Sequence, residues 1–197
     1  MGDALLMAVI RVLALGGTLD TDSSCLRALQ LALTGAVQAG AEAELLSLHE
    51  LALPLYVHGT TPPAAALRLI EAVRRADGLV WASPLYHGTV SGAFKNALDW
   101  LELLARDPRP YLSDKPVGLI CTAGGAQGLQ AINTMEFAVR SLRGLTVPLV
   151  APVAKAWQAF DADGEAIDPE VGALLRRVGG EVARLAARLK SAGGLSP

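Results

Sequence analysis

The chain has 197 residues, 52% of them apolar and 18% charged, with a formal net charge of −2. That balance describes one compact domain spanning 1–197 with a substantial core, not a disordered chain. Its arginines are dispersed and its net charge is slightly negative, which argues against a nucleic-acid surface.

Met7 to Leu15 is a near-continuous apolar run, the pattern of a parallel strand covered on both faces. Asp3 and Arg11 interrupt the amino-terminal stretch and no basic segment precedes it, so no signal peptide is expected. No run is long enough to span a bilayer, and the chain is expected to be cytoplasmic with no membrane partner. Gly16-Gly17-Thr18 breaks the first strand. Leu26, Leu29, Leu31, Leu33 and Val37 then mark a helix from Ser23 to near Gly40, with Asp22, Ser23 or Ser24 as its cap. Ala43 to Leu48 reads as the second strand, and Leu51 to Tyr56 as a loop crossing the sheet edge. Thr60-Thr61-Pro62-Pro63 opens a helix through Ala76, with Leu67, Ile70 and Val73 expected to face inward. His49 and His58 lie in these connections and are expected at the surface. Cys25, on the first helix, and Cys121, at a strand end, lack metal-ligand spacing and read as small buried hydrophobes.

Gly78-Leu79-Val80-Trp81-Ala82 is a third, buried strand, stopped by Pro84. Ser91 is the expected cap of a helix carrying Ala93, Phe94, Ala97, Leu98, Leu101 and Leu104, which ends at Arg106-Asp107-Pro108. Pro84-Leu85-Tyr86-His87-Gly88 therefore joins the carboxyl end of a strand to the start of a helix, where ligands bind in open parallel sheets. An aromatic ring, backbone amides and an imidazole there suit a flat ligand with polar edges. Pro116 to Thr122 is the fourth strand. Thr122-Ala123-Gly124-Gly125-Ala126-Gln127-Gly128 turns it into a helix with Ile132, Met135, Phe137, Val139 and Leu142 as apolar positions. These glycines do not match the Gly-X-Gly-X-X-Gly dinucleotide fingerprint. Thr146 to Val153 is the fifth strand. Phe160 to Glu165 reads as a polar turn, not a calcium loop, because Gly172 stands where the closing Glu would be. Asp168-Pro169 opens a last helix through Leu174, Leu175, Val178, Val182, Leu185 and Leu189, followed by a tail from Gly193 to Pro197. Alternating strands and helices indicate a doubly wound α/β fold.

The run from Ser83 to Trp100 resembles the NADPH-dependent FMN reductase family of flavodoxin-like proteins. That family reads Pro-Glu-Tyr-Asn-Gly-Ser-(apolar)-Pro-Gly-(apolar)-Leu-Lys-Asn-Ala-(apolar)-Asp-Trp at the same spacing. Leu85 stands in place of Glu and His87 in place of Asn, while Lys95-Asn96 and Asp99-Trp100 are kept. Gly17-Thr18-Leu19-Asp20-Thr21-Asp22-Ser23-Ser24-Cys25 alone reads as either an anion site at a helix start or a plain capped turn. It is similar to the family's phosphate loop, Gly-Ser-Leu-Arg-X-X-Ser-X-Asn, with Asp20 and Cys25 replacing Arg and Asn.

The resemblance implies a flavodoxin-like three-layer sandwich with a five-stranded parallel sheet of order 2-1-3-4-5. It implies FMN held at its phosphate by Gly17, Thr18, Asp20, Ser23 and Ser24. Around the ring it implies Pro84, Leu85, Tyr86, His87 and Gly88, with Thr122, Ala123, Gly124 and Gly125. The hydride donor would be NADPH or NADH, and the electron acceptor a quinone, flavin, azo compound or metal oxyanion. No Ser-His-Asp set, metal cluster or carboxylate pair emerges, so no catalytic side chain is assigned and the cofactor is expected to carry the chemistry. Asp20 in place of a cation predicts weak FMN binding. The rival readings are a flavodoxin-type electron carrier and a flavin-free binding module. The family also implies that the helix face bearing Lys95 and Asp99 meets another subunit, giving a homodimer or homotetramer.

Overall fold

A computed structural model describes residues 9–193 and places five parallel strands in one sheet. They are β1 (Arg11–Gly16), β2 (Glu42–Ser47), β3 (Gly78–Pro84), β4 (Pro116–Thr122) and β5 (Leu145–Val153). Their order, β2-β1-β3-β4-β5, is the one the resemblance implied. The helices are α1 (Ser24–Gln38), α2 (Leu48–Leu51), α3 (Ala64–Arg75), α4 (Gly92–Trp100), α5 (Leu129–Ser141) and α6 (Pro169–Ser191). Met7 and Ala8, assigned to the first strand from sequence, and residues 194–197 of the tail lie outside the described residues.

Strand alternation sorts the core into two layers. Leu13, Leu15, Leu79, Trp81, Leu119 and Cys121 pack with residues of α2, α3, α4 and α5. Val12, Ala14, Val80, Ala82 and Ile120 pack with α1 and α6 on the other face. There α1 and α6 meet backbone to backbone: a methyl added at Gly35 would lie 1.9 Å from the Arg176 carbonyl oxygen, and one at Gly179 1.8 Å from that of Ala32. The chain leaves β1 toward one face, through α1, and leaves β3 toward the other, through α4. A crevice opens between their loops, the switch point of a doubly wound sheet.

The structure corrects several expectations. Leu67 is 53% exposed, because Ala66, Leu69, Ile70 and Val73 take the inner face of α3. Phe137 is 75% exposed, since Ala131, Ile132, Met135 and Val139 fill the inner face of α5. Helix α4 stops at Trp100, and Leu101–Leu104 tightens into a 3-10 turn instead of continuing it. The stretch after β2 contains the one-turn helix α2, where only a loop was expected. The turn around Phe160 is polar as expected: Asp161 Oδ1 accepts the amides of Asp163 and Glu165, at 3.0 and 2.9 Å.

Candidate functional site

Three backbone links tie the strand-end loops side by side. The Gly17 amide donates to the Ala82 carbonyl (2.8 Å), the Leu85 amide to that of Thr122 (3.0 Å) and the Ala123 amide to that of Val153 (2.9 Å). A Cβ at Gly17 would lie 2.6 Å from the Ala82 oxygen, so only glycine allows the first of these approaches. Ser91 fastens the arrangement from below. Its hydroxyl donates to the Gly17 carbonyl (2.5 Å) and accepts from the Phe94 amide (3.1 Å), capping α4 as expected.

The loop after β3 is a rigid turn. Tyr86 and Thr89 exchange both backbone hydrogen bonds, at 3.0 and 3.1 Å, and the two residues between them have positive φ, 49° at His87 and 83° at Gly88. That is the type I′ geometry, which favours Asn-Gly or Asp-Gly. The retained tail of this motif has a scaffold role. Asn96 accepts from the Tyr56 amide (2.8 Å) and donates to the Pro54 carbonyl (3.0 Å), and Trp100 Nε1 donates to the same carbonyl (2.9 Å). Asn96 and Trp100 thus pin the segment after β2 against α4.

The loop after β1 is bonded mostly to itself. The Asp20 amide donates to Thr18 Oγ1 (3.1 Å), the Asp22 amide to Asp20 Oδ1 (3.1 Å), and Ser23 caps α1 by accepting from the Leu26 amide (3.2 Å). His49 Nδ1, at the surface as expected, lies 2.8 Å from the Leu19 carbonyl. A carbonyl oxygen only accepts, so Nδ1 carries the proton and holds the loop from outside. Arg27, one turn into α1, is drawn to Asp22 (2.6 Å) and to the Asp161 carbonyl (2.9 Å).

These loops enclose a cleft of about 460 Å³. Of the residues assigned from sequence, Thr18, Asp20, Ser23, Ser24, Pro84, Leu85, Tyr86, Thr122, Ala123 and Gly124 line it together. Gly17, His87, Gly88 and Gly125 do not line it; the first three shape the loops that do. Five further lining residues, Asp22, Cys25, Arg27, Ala156 and Trp157, were not assigned from the sequence. Cys25 is buried as expected, and burial pushes its thiol up to about 12, only partly offset by hydrogen bonds with the Gly17 backbone and the Thr122 side chain. Burial likewise pushes Cys121 up to about 11. Neither thiol is poised as a nucleophile.

The donor set suits a ligand with a flat ring and an anionic tail. Thr18 and Ser23 present hydroxyls at the start of α1, where the helix dipole favours an anion, while the Ser24 hydroxyl is turned to the Ala156 carbonyl. The buried floor of Thr122 and Ala123, with open space above Gly124, admits a planar group beside Tyr86. The anionic end is poor in cations, since Asp20 and Asp22 line it and Arg27 is engaged.

Residues 10–158 match the family model of NADPH-dependent FMN reductases. The chain is 33% identical over 175 residues to an NAD(P)H-dependent FMN reductase of Pseudomonas aeruginosa, covering 85% of this chain and 90% of that one. It is 36% identical over 122 residues to the NADPH-dependent FMN reductase ArsH of Acidithiobacillus ferrooxidans, covering 62% of this chain. The chain spans about half the length of that relative, 51%. In fold it is similar to FerB, a flavoenzyme NAD(P)H:(acceptor) oxidoreductase from Paracoccus denitrificans. The TM-score is 0.70 at 23% identity, over 91% of this chain and 98% of that one. No helix among the described residues is long and apolar enough to cross a membrane.

Proposed function

This chain belongs to the NADPH-dependent FMN reductase family, and we propose that it is an FMN-dependent NAD(P)H oxidoreductase that reduces a small-molecule acceptor. One observation carries the reading: the carboxyl ends of β1, β3 and β4 deliver hydroxyls, a helix start, Gly124 and an aromatic ring into one cleft at the switch point. FMN bound there would supply hydride acceptance from NADPH or NADH and onward transfer of electrons. The Thr18 and Ser23 hydroxyls, with the amides at the start of α1, would hold its phosphate, while the Ser24 hydroxyl is already donated to the Ala156 carbonyl. Pro84, Leu85 and Tyr86 would frame the ring, held in place by the turn through His87 and Gly88. Thr122, Ala123 and Gly124 would form the surface under the ring, with the buried Ala123 excluding water from beneath. No side chain is asked to move a proton. The carrier alternative is disfavoured by the near-neutral charge, and the flavin-free alternative is supported by Asp20 and its bonded loop.

Assembly as a homodimer or homotetramer through the face of α4 that bears Lys95 and Asp99 is proposed from the family resemblance alone, since these two side chains pair with each other at 2.5 Å. A visible absorption spectrum with and without added FMN tests the cofactor, and NADPH oxidation with a quinone tests the enzyme. Flavin bands that stay with the protein, together with quinone-dependent NADPH oxidation, are the expected result. A protein that takes up no FMN at millimolar concentration is a binding module instead.

A further inference from the structure

We propose that Trp157 is a specificity-determining residue, a stacking wall for the electron acceptor that selects neutral planar aromatics such as quinones over metal oxyanions. The proposal rests on the reading of this cleft as a flavin site. Trp81 and Trp100 are buried in the core, but Trp157 is 73% exposed and lines the cleft. It stands on the 3-10 turn Ala156–Gln158 just beyond β5.

That turn is held firmly. The Ala156 amide donates to the Ala123 carbonyl (3.0 Å), and the Ala156 carbonyl accepts from Ser24 Oγ (2.6 Å). Lys155 enters the turn in the left-handed region, with φ 47°, a conformation that costs free energy unless its surroundings impose it. The mount is therefore clamped between Ala123 and the start of α1, while the indole it carries packs into neither core layer. A large ring held in water on a rigid base gains free energy when a flat molecule covers it.

The position of the ring assigns the ligand. Thr122 and Ala123 form the buried floor, where a first flat group would settle. Trp157 and Tyr86, 73% and 55% exposed, line the same cleft and leave their rings open to a molecule entering from solvent. The second reactant enters from that side to exchange electrons with the first group. Chemistry narrows the choice: the two aromatic rings suit a flat apolar face, and they offer an oxyanion no cation, since the Arg27 guanidinium that lines the cleft is already paired with Asp22. In the reaction NAD(P)H gives up a hydride and becomes NAD(P)+. The quinone gains those two electrons and two protons, one supplied with the hydride and one from solvent, and becomes the hydroquinone.

The test compares wild type, Trp157→Ala and Trp157→Phe, loaded with FMN and saturated with NADPH. Acceptors are 2-methyl-1,4-naphthoquinone and ferricyanide, which has no flat face. Trp157→Ala should raise KM for the quinone roughly five- to tenfold, the size of an aromatic stacking contact. Its KM for ferricyanide should shift less than twofold, and Trp157→Phe should restore most of the quinone affinity. Independently of turnover, titrating the oxidised protein with the quinone should quench tryptophan emission saturably in wild type and not in Trp157→Phe. Equal shifts with both acceptors, or FMN affinity falling as far as quinone affinity, overturn the proposal. FMN uptake with neither quench nor KM shift overturns it too, and leaves the flavin reading standing. A saturable quench in a protein that takes up no FMN does the reverse, and absence of both defeats both.

Discussion

At the amino ends of β3 and β4 lies a second cleft, about 610 Å³ against about 460 Å³ for the one at the carboxyl ends. It is rich in charge, yet its charges serve one another. Arg74 forks onto Asp107 at 2.7 and 3.1 Å, Arg109 meets Asp114 at 2.7 Å, and Lys190 meets Asp77 at 2.9 Å. Lys115 donates to the carbonyls of Val73, Arg74 and Ala76, closing the end of α3. The smaller cleft has hydroxyls, Gly124 and two exposed aromatic rings facing solvent. Cavity size is a poor guide here, because ion pairs at one end are spent on structure while groups at the other are left for a ligand. Changes at the amino end should then move stability without touching FMN, and changes at the carboxyl end the reverse.

The largest effect expected at the amino end comes from Lys115→Met. It strips charged donors from three helix-end carbonyls, offset in part by removing a buried charge, for a net loss of about 1–3 kcal/mol. Thermal unfolding should fall by several degrees with FMN affinity within twofold of wild type. Burial pushes the Lys115 amine down to about 8, against the pull of Asp77, from its ordinary 10.5. Between those values the unfolded chain binds more protons than the folded one. This group's contribution to stability therefore rises with pH across that window and is flat below it. The melting advantage of wild type over Lys115→Met should widen from pH 8 to 10. A narrowing would show that the amine is not depressed.

The carboxyl-end counterpart is Asp20→Arg. A charge-assisted hydrogen bond to phosphate contributes about 1.5–3 kcal/mol, and the substitution also removes the carboxylate that holds the Asp22 amide. FMN affinity, read from quenching of flavin fluorescence, should rise by at least about tenfold, or ~1.4 kcal/mol. Melting of the FMN-free protein should change little, because Asp20 is exposed. Unchanged affinity would mean that this loop does not hold the phosphate, and the contrast between the two ends would lose its main support.

What was legible in the sequence follows the same division. Strand β4 has the ends expected, Pro116 and Thr122, because a short apolar run bounded by turn residues leaves one solution. The loops after β1, β3 and β4 were found because motif spacing is local. Leu67 and Phe137 were misplaced because alanines share the inner faces of α3 and α5, and a large side chain one step out of phase looks like core until the sheet fixes the rotation. Trp157 and Ala156 were missed for another reason. Their contact with Ser24 spans 132 residues and exists only because the sheet brings the end of β5 beside the start of α1. His49 carried no signal either, since its partner is a backbone carbonyl that no side-chain pattern encodes.

The smallest effect is expected at His87. With φ 49° it occupies the first central position of a type I′ turn, followed by Gly88 at 83°. His tolerates the left-handed region better than most residues, and Asn does so better still. His87→Asn should therefore leave the turn intact and raise stability by a few tenths of a kcal/mol, on the order of a turn-propensity change. The His87 imidazole is exposed and does not line the cleft. Turnover with NADPH and a quinone should then stay within about tenfold of wild type, or ~1.4 kcal/mol. A loss of a hundredfold with FMN still bound would give the imidazole a direct part in the reaction. It would also make the turn after β3 more than a rigid frame for its own backbone.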